Sequence, residues 1–307
     1  LNMMNQCSNI ISKTIVPKLR FKEFEEEWEE KKLGDIASFS KGKGISKSDI
    51  HQFGTIPCIR YGELYTEYSE LIKTIISKTN LPKEDLVISL GNEVVIPASG
   101  ETAIDIATAS CILISGVAIG GDLNIIHSKL DGVFLSYLLN NSKKNKIASL
   151  AQGSSVMHLY STQLKLLSVN YPNSFEQKKI ADFLSSVDHK LQHLKKKKEL
   201  LEQYKKGLMQ KIFSQEIRFK DDNGNDYPDW EEKIVEDLFF VTRGTVLAIP
   251  KIRQHKDKEF PYPVYSSQTK NNGIAGYYNE SIFEDAITWT TDGALAGEVN
   301  FRRGKFY

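Results

Sequence analysis

The sequence predicts an α+β fold in which two related β-rich units are joined by one long helix. Three observations predict it: short apolar runs separated by glycines, a sequence repeat between the two halves of the chain, and a heptad pattern between the repeats. With 307 residues, the chain is long enough to bury two hydrophobic cores. We therefore expect two separately folded domains with a helical segment between them.

The first β-rich unit contains short apolar runs bounded by turn residues. The runs at 85–90, 94–96 and 111–114 have the length and the β-branched composition of strands, and glycines between them mark turns. A short helix is predicted over residues 133–140, where apolar side chains recur at helical spacing. Together these elements predict a curved β-sheet with helices at its edge.

The opening sequence of this unit recurs later in the chain. Leu-Arg-Phe-Lys at 19–22 returns as Ile-Arg-Phe-Lys at 217–220, and Trp-Glu-Glu-Lys at 28–31 returns at 230–233. The two copies then align without gaps at a constant offset of 202 residues, which pairs Gly42 with Gly244. This repeat predicts a first domain at 17–172 and a second at 215–307, which is incomplete when compared with the first.

A long helix is predicted over residues 173–214, between the two domains. This segment contains no proline, and Asn173 or Ser174 is placed to cap its first turn. Its apolar residues alternate at steps of four and three over about five heptads, interrupted only by Lys198 and Lys205. This pattern predicts a coiled-coil arm that requires a partner helix. The residues of this seam are Ile180, Leu184, Val187, Leu191, Leu194, Leu201, Leu208 and Ile212.

Composition is that of an ordinary soluble protein. The formal net charge is +1, and no apolar run approaches the roughly 18 residues that a membrane span requires. Residues 1–14 do not have the pattern of a secretory signal, so we expect a cytoplasmic protein that does not contact membranes. The three cysteines are far apart and have no partners at metal-ligand spacing, which predicts neither a disulfide framework nor a zinc site.

No catalytic or metal site is predicted. The segment 228–233 (PDWEEK) has the residue types of a metal-dependent nuclease but not the spacing, because such carboxylates normally come from successive strands. The Asn-Pro-Pro-aromatic run and the Gly-rich cofactor turn of a methyltransferase do not occur. His189 and His193 are four residues apart without an acidic partner between them, so we expect exposed helix residues there.

Two segments of the predicted helix carry a family resemblance. Residues 175–185 (FEQKKIADFLS) and 206–213 (KGLMQKIF) closely resemble the first conserved spacer of type I restriction-modification specificity subunits. The repeated Trp-Glu-Glu-Lys sequences, with Gly153-Ser154-Ser155 and His158 before the helix, are similar to the two target-recognition domains of that family. The resemblance covers nearly the whole chain.

This resemblance implies a function for each part of the chain. Each of two target-recognition domains would read one half of a split site in double-stranded DNA, and the spacer would bind two methyltransferase subunits, through which the restriction/translocase subunits join. The chain itself would be non-catalytic and hold no cofactor, while S-adenosylmethionine, ATP and magnesium would belong to the partner subunits. With an incomplete second domain and no second spacer, this sequence departs from the family pattern, which puts reading of both half-sites by this chain alone in doubt.

DNA readout requires side chains that form paired hydrogen bonds to base edges, supported by phosphate contacts. In the first domain, the candidates are Lys41, Lys43, Lys47, Arg60, Tyr61, Ser99, Thr102, Gln152, Ser154, Ser155 and His158. In the second domain, they are Arg243, Ser267, Gln268, Lys270, Asn271 and Thr291. A solvated loop residue is the alternative interpretation at each of these positions.

Three alternatives remain open at the level of the whole chain. The first is a non-DNA scaffold in which the arm is a dimerising coiled coil. The second is the specificity region of a single-chain restriction-methyltransferase, which requires catalytic motifs that these residues do not contain. The third is a shortened specificity subunit that pairs with a second copy through its apolar seam.

Overall fold

The computed structural model describes residues 17, 19–268, 270–291, 293 and 296–307. The chain forms two compact units, the first ending at Ser214 and the second beginning at Gln215. In the described part of the chain, none of the helices combines the length and the apolar composition that a membrane crossing requires.

The first unit mixes short strands with helices. Its strands are β1 (Glu29–Lys32), β2 (Ala37–Lys41), β3 (Ile56–Ile59), β4 (Leu71–Ile72), β5 (Ser77–Thr79), β6 (Val87–Ile88), β7 (Glu93–Pro97), β8 (Ser99–Gly100), β9 (Ser110–Ile112), β10 (Ala118–Ile119), β11 (Leu123–Ser128), β12 (Met157–His158) and β13 (Ser168–Tyr171). Its helices are α1 (Leu33–Ile36), α2 (Glu63–Thr66), α3 (Gly132–Asn140), α4 (Lys144–Leu150), α5 (Ser161–Leu164) and α6 (Ser174–Phe213), with 3-10 turns at Lys47–Asp49 and Lys83–Asp85. The α+β prediction with a long helical spacer is confirmed.

Two sheets form the body of this unit. One has the strand order β2-β11-β7-β9-β4 and the other β5-β3-β10-β6, while β1-β13 and β12-β8 are separate pairs. Most neighbours run antiparallel, but β4 runs parallel to β9 and β10 runs parallel to β3. Strands 71–72 and 118–119 therefore reach their places by crossovers, which periodicity along the chain does not reveal.

The central strands β7 and β11 are buried on both faces because they separate two hydrophobic cores. Val94 and Ile96 point into a core that includes α3, whereas Val95 points into the core on the other side. Ile126 and Ile125 of β11 divide in the same way. This double burial explains why β7 is a nearly continuous apolar run without polar alternation.

The strand predicted at 85–90 is much shorter in the structure. Only Val87 and Ile88 pair, and the chain then turns because the buried Glu93 carboxylate accepts hydrogen bonds from the backbone N–H groups of Leu90 (2.6 Å) and Gly91 (2.8 Å). The predicted helix at 133–140 begins one residue earlier, where Asp131 accepts a hydrogen bond from the Phe134 N–H.

Helix α6 is fixed to the first unit at its beginning. Asn173 caps it by accepting a hydrogen bond from the Glu176 N–H, and the almost fully buried Glu176 carboxylate pairs with Arg20 at 2.6 Å. About three turns further on, the Tyr137 hydroxyl of α3 donates a 2.5 Å hydrogen bond to Asp188. From residue 189 to residue 206, every side chain is exposed in this chain.

The second unit repeats part of the pairing order of the first. It contains α7 (Val235–Leu238), β14 (Tyr262–Tyr265), β15 (Ile274–Tyr278), β16 (Phe283–Trp289) and β17 (Val299–Phe306), with 3-10 turns at Ile249–Lys251 and Lys270–Gly273. Antiparallel β14 and β15 are followed by antiparallel β16 and β17, as β3 and β5 are followed by β7 and β9. The second residue of β3 and of β14 is a proline in each case. Pro57 lies opposite Lys78, and Pro263 lies opposite Tyr277.

Candidate nucleic-acid interface

Three loops of the first unit meet through backbone hydrogen bonds. Lys43 N–H donates to the Ile119 carbonyl (3.0 Å), Gly120 N–H to the Ile59 carbonyl (2.9 Å), and Gly121 N–H to the Gly44 carbonyl (2.9 Å). Lys43 and Arg60, which follow different strands, are thereby brought to the same edge of the unit.

The close crossing of these loops depends on glycine. A β-carbon on Gly42 would lie 1.9 Å from the Gly120 carbonyl oxygen, and one on Gly120 would lie 2.8 Å from the Ile59 carbonyl oxygen. Both distances are too short for any side chain. Gly42 and Gly120 therefore hold the neighbouring basic residues in place but contribute no functional side chain themselves.

A second group of candidates lies on the short β8–β12 pair. His158 is opposite Ser99, and Gln152 exchanges two backbone hydrogen bonds with His158, at 2.9 and 2.7 Å. Ser154 and Ser155 lie in the exposed turn that this exchange closes. The Thr102 hydroxyl donates to Asp105 at 2.6 Å.

The two groups form one continuous strip. Ala98 N–H donates to the Asp122 carbonyl (2.8 Å), which joins the β8 segment to the 119–122 loop. Tyr65 joins it to the Arg60 segment, because a β-carbon on Gly62 would lie 3.7 Å from the Tyr65 hydroxyl and one on Gly100 would lie 3.8 Å from the Tyr65 ring. We call this strip, residues 42–44, 60–65, 98–102, 119–122 and 152–158, the loop rim.

The remaining basic candidates of the first unit flank the loop rim. Lys41 ends β2 directly before Gly42, and Lys47 begins the 3-10 turn Lys47–Asp49; both are exposed. The Lys43 ammonium lies 3.8 Å from Asp85, with both side chains largely exposed. Such an exposed pair is weak, so Lys43 remains available to a stronger anionic partner.

In the second unit, most candidates share the loop between β14 and β15. Ser267, Lys270 and Asn271 are exposed there, and the Gln268 side-chain amide donates to the Ile274 carbonyl. Asn271 has a left-handed backbone (φ 52°), a conformation that asparagine tolerates well. Arg243 lies in an exposed segment without regular structure, and Thr291 follows β16.

The loop of the second unit is supported from below by Arg302. Its guanidinium donates to the Asn272 carbonyl (2.9 Å) and lies 4.0 Å from the centre of the Tyr265 ring. This support gives the loop a defined shape while Lys270 and Asn271 stay exposed.

Sequence reasoning missed three side chains of this region. Glu63 is buried beneath Arg60, Tyr65 lies at the centre of the loop rim, and the Tyr160 ring stacks on His158 with centroids 6.3 Å apart. For Glu63 the available signal was its position three residues after Arg60. Tyrosines in polar loops are a further signal, because nucleic-acid bases stack on aromatic rings.

Other groups with catalytic residue types are engaged elsewhere. Asp229 of the nuclease-like segment accepts a hydrogen bond from Arg218 (3.0 Å), and Glu231 pairs with Lys233 (2.7 Å). Over the described residues, no group of three or more His, Cys, Asp or Glu side chains is placed to hold a metal ion. His189 and His193 contact each other on α6, with their Nε2 atoms 3.0 Å apart.

The seam of α6 has two parts. Near the first unit, Ile180 packs against its main core and Leu184 is half-buried. Val187, Leu191, Leu194 and Leu201 are each 41–55% exposed, while Leu208 and Ile212 are half-buried. An exposed row of leucines at heptad spacing is typical of a surface that another helix covers.

A known protein family matches most of this chain. The family model described as the type I restriction modification DNA specificity domain matches residues 25–203 and 227–307, so the chain belongs to this family. The resemblance recognised in the helix and in the repeated Trp-Glu-Glu-Lys sequences is thereby confirmed.

Individual relatives agree with the family. The chain is 25% identical over 225 residues to the type I restriction enzyme MjaVIII specificity subunit of Methanocaldococcus jannaschii, which covers 71% of this chain and 51% of that protein. It is 38% identical over 73 residues to a putative type I specificity subunit N-terminus of Mycoplasma pneumoniae, covering 24% of this chain and 37% of the relative. The chain thus spans about half or less of the length of these curated relatives.

The fold is also found in a solved structure. The type I restriction-modification system S subunit from M. genitalium superposes with a TM-score of 0.60 at 17% sequence identity, over 95% of this chain and 73% of that chain. The two proteins therefore share a fold.

Proposed function

We propose that this chain is the DNA sequence-recognition subunit of a type I restriction-modification complex, and that it directs adenine methylation and restriction to a bipartite site. The observation that carries the proposal is the loop rim, which gathers Lys43, Arg60, Ser99, Gln152 and His158 along one strip of a family member's first unit. Donors and acceptors gathered in this way suit base edges and phosphates together.

Within the loop rim, the proposed roles follow from chemistry and exposure. Lys43 is an exposed point charge on a loop fixed by its backbone, which suits a phosphate contact. Gln152 and Arg60 are residue types that form paired hydrogen bonds with adenine and guanine, respectively. Lys270 and Asn271 would serve the corresponding loop of the second unit.

The partners are part of the same proposal. The exposed seam of α6 would bind methyltransferase subunits, two per complex, and restriction subunits would join through them. The chain would carry no catalytic group, so S-adenosylmethionine, ATP and magnesium would be held by those partners. In this scheme residues 17–172 are a target-recognition domain, 173–214 the spacer and 215–307 part of a second target-recognition domain.

The experiment that tests the proposal is co-expression of the chain with its cognate methyltransferase subunit, followed by co-purification and genome-wide mapping of methylated adenines. We expect a stable complex and methylation at a single split motif. A complex that methylates no defined motif would contradict sequence recognition by this chain. If no complex forms, the coiled-coil scaffold becomes the better explanation of the seam.

A further inference from the structure

A buried carboxylate lies directly beneath the half-buried arginine of the loop rim. Glu63 Oε1 accepts hydrogen bonds from Arg60 Nε (3.2 Å), Arg60 Nη2 (3.0 Å) and the Ser77 hydroxyl (2.7 Å), and Oε2 accepts from the Arg60 backbone N–H (3.1 Å). The Glu63 side chain is 7% exposed and that of Arg60 is 28% exposed. Both carboxylate oxygens are therefore satisfied, and the guanidinium is held at a fixed angle.

This arrangement leaves one edge of the guanidinium unused. In the described part of the chain, Arg60 Nη1 has no hydrogen-bond partner, while Nε and one side of Nη2 are bound to Glu63. The Nη1 and Nη2 groups together are the fork that binds O6 and N7 of guanine in the major groove. An arginine fixed through its other edge loses little side-chain entropy when it binds a base in this way.

The positive charge of Arg60 is largely compensated by the Glu63 carboxylate. A cation paired with a buried carboxylate contributes little to the general attraction of phosphates, which comes from uncompensated charge. Lys43 differs, because its nearest carboxylate is 3.8 Å away and exposed. The pair thus favours discrimination between bases over general affinity.

We infer that Glu63 is a positioning residue that presents Arg60 to a guanine, so that the Arg60–Glu63 pair determines one base of the recognised site. The inference rests on the proposed function. It assigns guanine as the base that Arg60 binds and Glu63 as the residue that holds Arg60 in place.

The test is selection of duplexes from a random DNA pool by the full chain in complex with its cognate methyltransferase subunit. Variants E63Q and R60K would be compared with the unchanged protein and with E67Q, a matched control that removes one charge from an exposed glutamate four residues later. We expect E63Q and R60K to lose about tenfold or more of the preference at one guanine, because Lys cannot form the fork and Gln does not hold it. The other positions of the motif, the salt dependence of binding and the behaviour of E67Q should stay unchanged.

Other outcomes separate this inference from the proposed function. If the unchanged protein selects no motif, both are overturned. If it selects a motif and either E63Q or R60K keeps every preference, only the inference is overturned. An equal loss of affinity for all sequences in R60K, with every base preference unchanged, would mean that Arg60 does not read a base, which also overturns it. Should E63Q fail to fold by circular dichroism, R60K and the milder S77A, which removes one donor to Glu63, still decide the question.

Discussion

At the scale of single residues, Gly42 is needed in the loop rim because its position has no room for a β-carbon. Gly42→Ala would place a β-carbon 1.9 Å from the Gly120 carbonyl oxygen, which is backbone and does not move aside cheaply. We expect this variant to lose about 1–3 kcal/mol of unfolding free energy, as overpacked sites do. Urea unfolding followed by circular dichroism measures it.

The matched control for this prediction is Gly62→Ala. Gly62 has an ordinary helical backbone (φ −64°), and its new β-carbon would meet only the Tyr65 hydroxyl at 3.7 Å. This variant should be close to neutral. Equal losses in the two variants would mean that glycine flexibility, rather than the loop crossing, sets the stability of the rim.

The two buried thiols provide a test of packing at the same scale. Burial raises the pKa of Cys58 to about 11 and that of Cys111 to about 12. In a Cys7→Ser variant, we expect iodoacetamide at pH 8 to label neither thiol until denaturant is added, because the thiolate is the reactive form. Mass spectrometry of labelled peptides gives the readout, and rapid labelling of Cys111 in the folded protein would contradict the core described here.

These thiols also set a direction for alkaline stability. Both thiols have a higher pKa in the folded protein than in the unfolded chain, where the pKa of a free cysteine is near 8.5. Their contribution to folding stability is therefore complete below about pH 8.5. Stability should therefore fall as the pH rises from about 8.5 through 11 and 12.

Residue types alone predicted part of the candidate site. Arg60, Lys43 and Gln152 were identifiable because their side chains suit base edges or phosphates. That Lys43 and Arg60 share one rim was not predictable, because it depends on backbone contacts between residues 42–44 and 119–121 that leave no local pattern. Glu63 was missed because a glutamate in a polar stretch of sequence resembles a solvated residue until its burial is seen.

At the scale of elements, the junction of α3 and α6 fixes the direction of the spacer. The buried Tyr137 hydroxyl donates to Asp188, and burial together with this hydrogen bond raises the pKa of the tyrosine. Tyr137→Phe should lower the unfolding free energy by about 1.5–3 kcal/mol, the range for a hydrogen bond to a charged group. Thermal or urea unfolding measures the loss.

Tyr204→Phe is the control on the same helix, since Tyr204 is 65% exposed. It removes the same hydroxyl without touching the junction, and we expect no change in stability. A double-mutant cycle with Asp188→Asn isolates the pair. A coupling energy near zero would show that the hydroxyl is not what holds the two helices together.

The exposed seam gives a second prediction at this scale. The double variant Leu191→Lys with Leu201→Lys should abolish co-purification with the methyltransferase subunit, because two charges would enter an apolar helix interface. Leu200→Lys makes the same chemical change one residue off the seam, at a side chain that is 52% exposed, and should leave the complex intact. Loss of the complex in Leu200→Lys would place the contact on a different face of α6.

Elements with a local signal were predicted best. The heptad spacing and the Asn173 cap predicted α6, which spans Ser174–Phe213, because both signals lie within one stretch of sequence. The order of the strands was out of reach, since β4 and β10 reach their parallel partners by crossovers. The short β6 strand reflects the turn at Leu90 and Gly91, where a side chain from further along the sequence redirects the backbone.

At the scale of the whole molecule, a net charge of +1 means that any attraction to DNA is local. Lys43→Ala should therefore weaken binding to all duplexes alike and lower the slope of log affinity against log salt by about 1.

Gln152→Ala should instead relax the preference at one base position, at a cost of about 1–3 kcal/mol, and leave the salt slope unchanged.

The comparison uses the complex with the methyltransferase subunit and duplex titrations at several salt concentrations. Lys146→Ala, an exposed lysine on α4 outside the loop rim, is the control and should change neither quantity. Should Lys43→Ala and Lys146→Ala behave alike, the phosphate contacts lie elsewhere on the molecule.

The two first strand pairs of the repeat differ in one respect, the length of chain between their strands. Residues 60–76 separate β3 from β5, whereas residues 266–273, about half as many, separate β14 from β15, and the proline of each pair keeps the same place in its strand. Doubling a loop costs only about 0.6 kcal/mol of closure entropy. Loops of quite different length can therefore join the same kind of strand pair at little cost in stability.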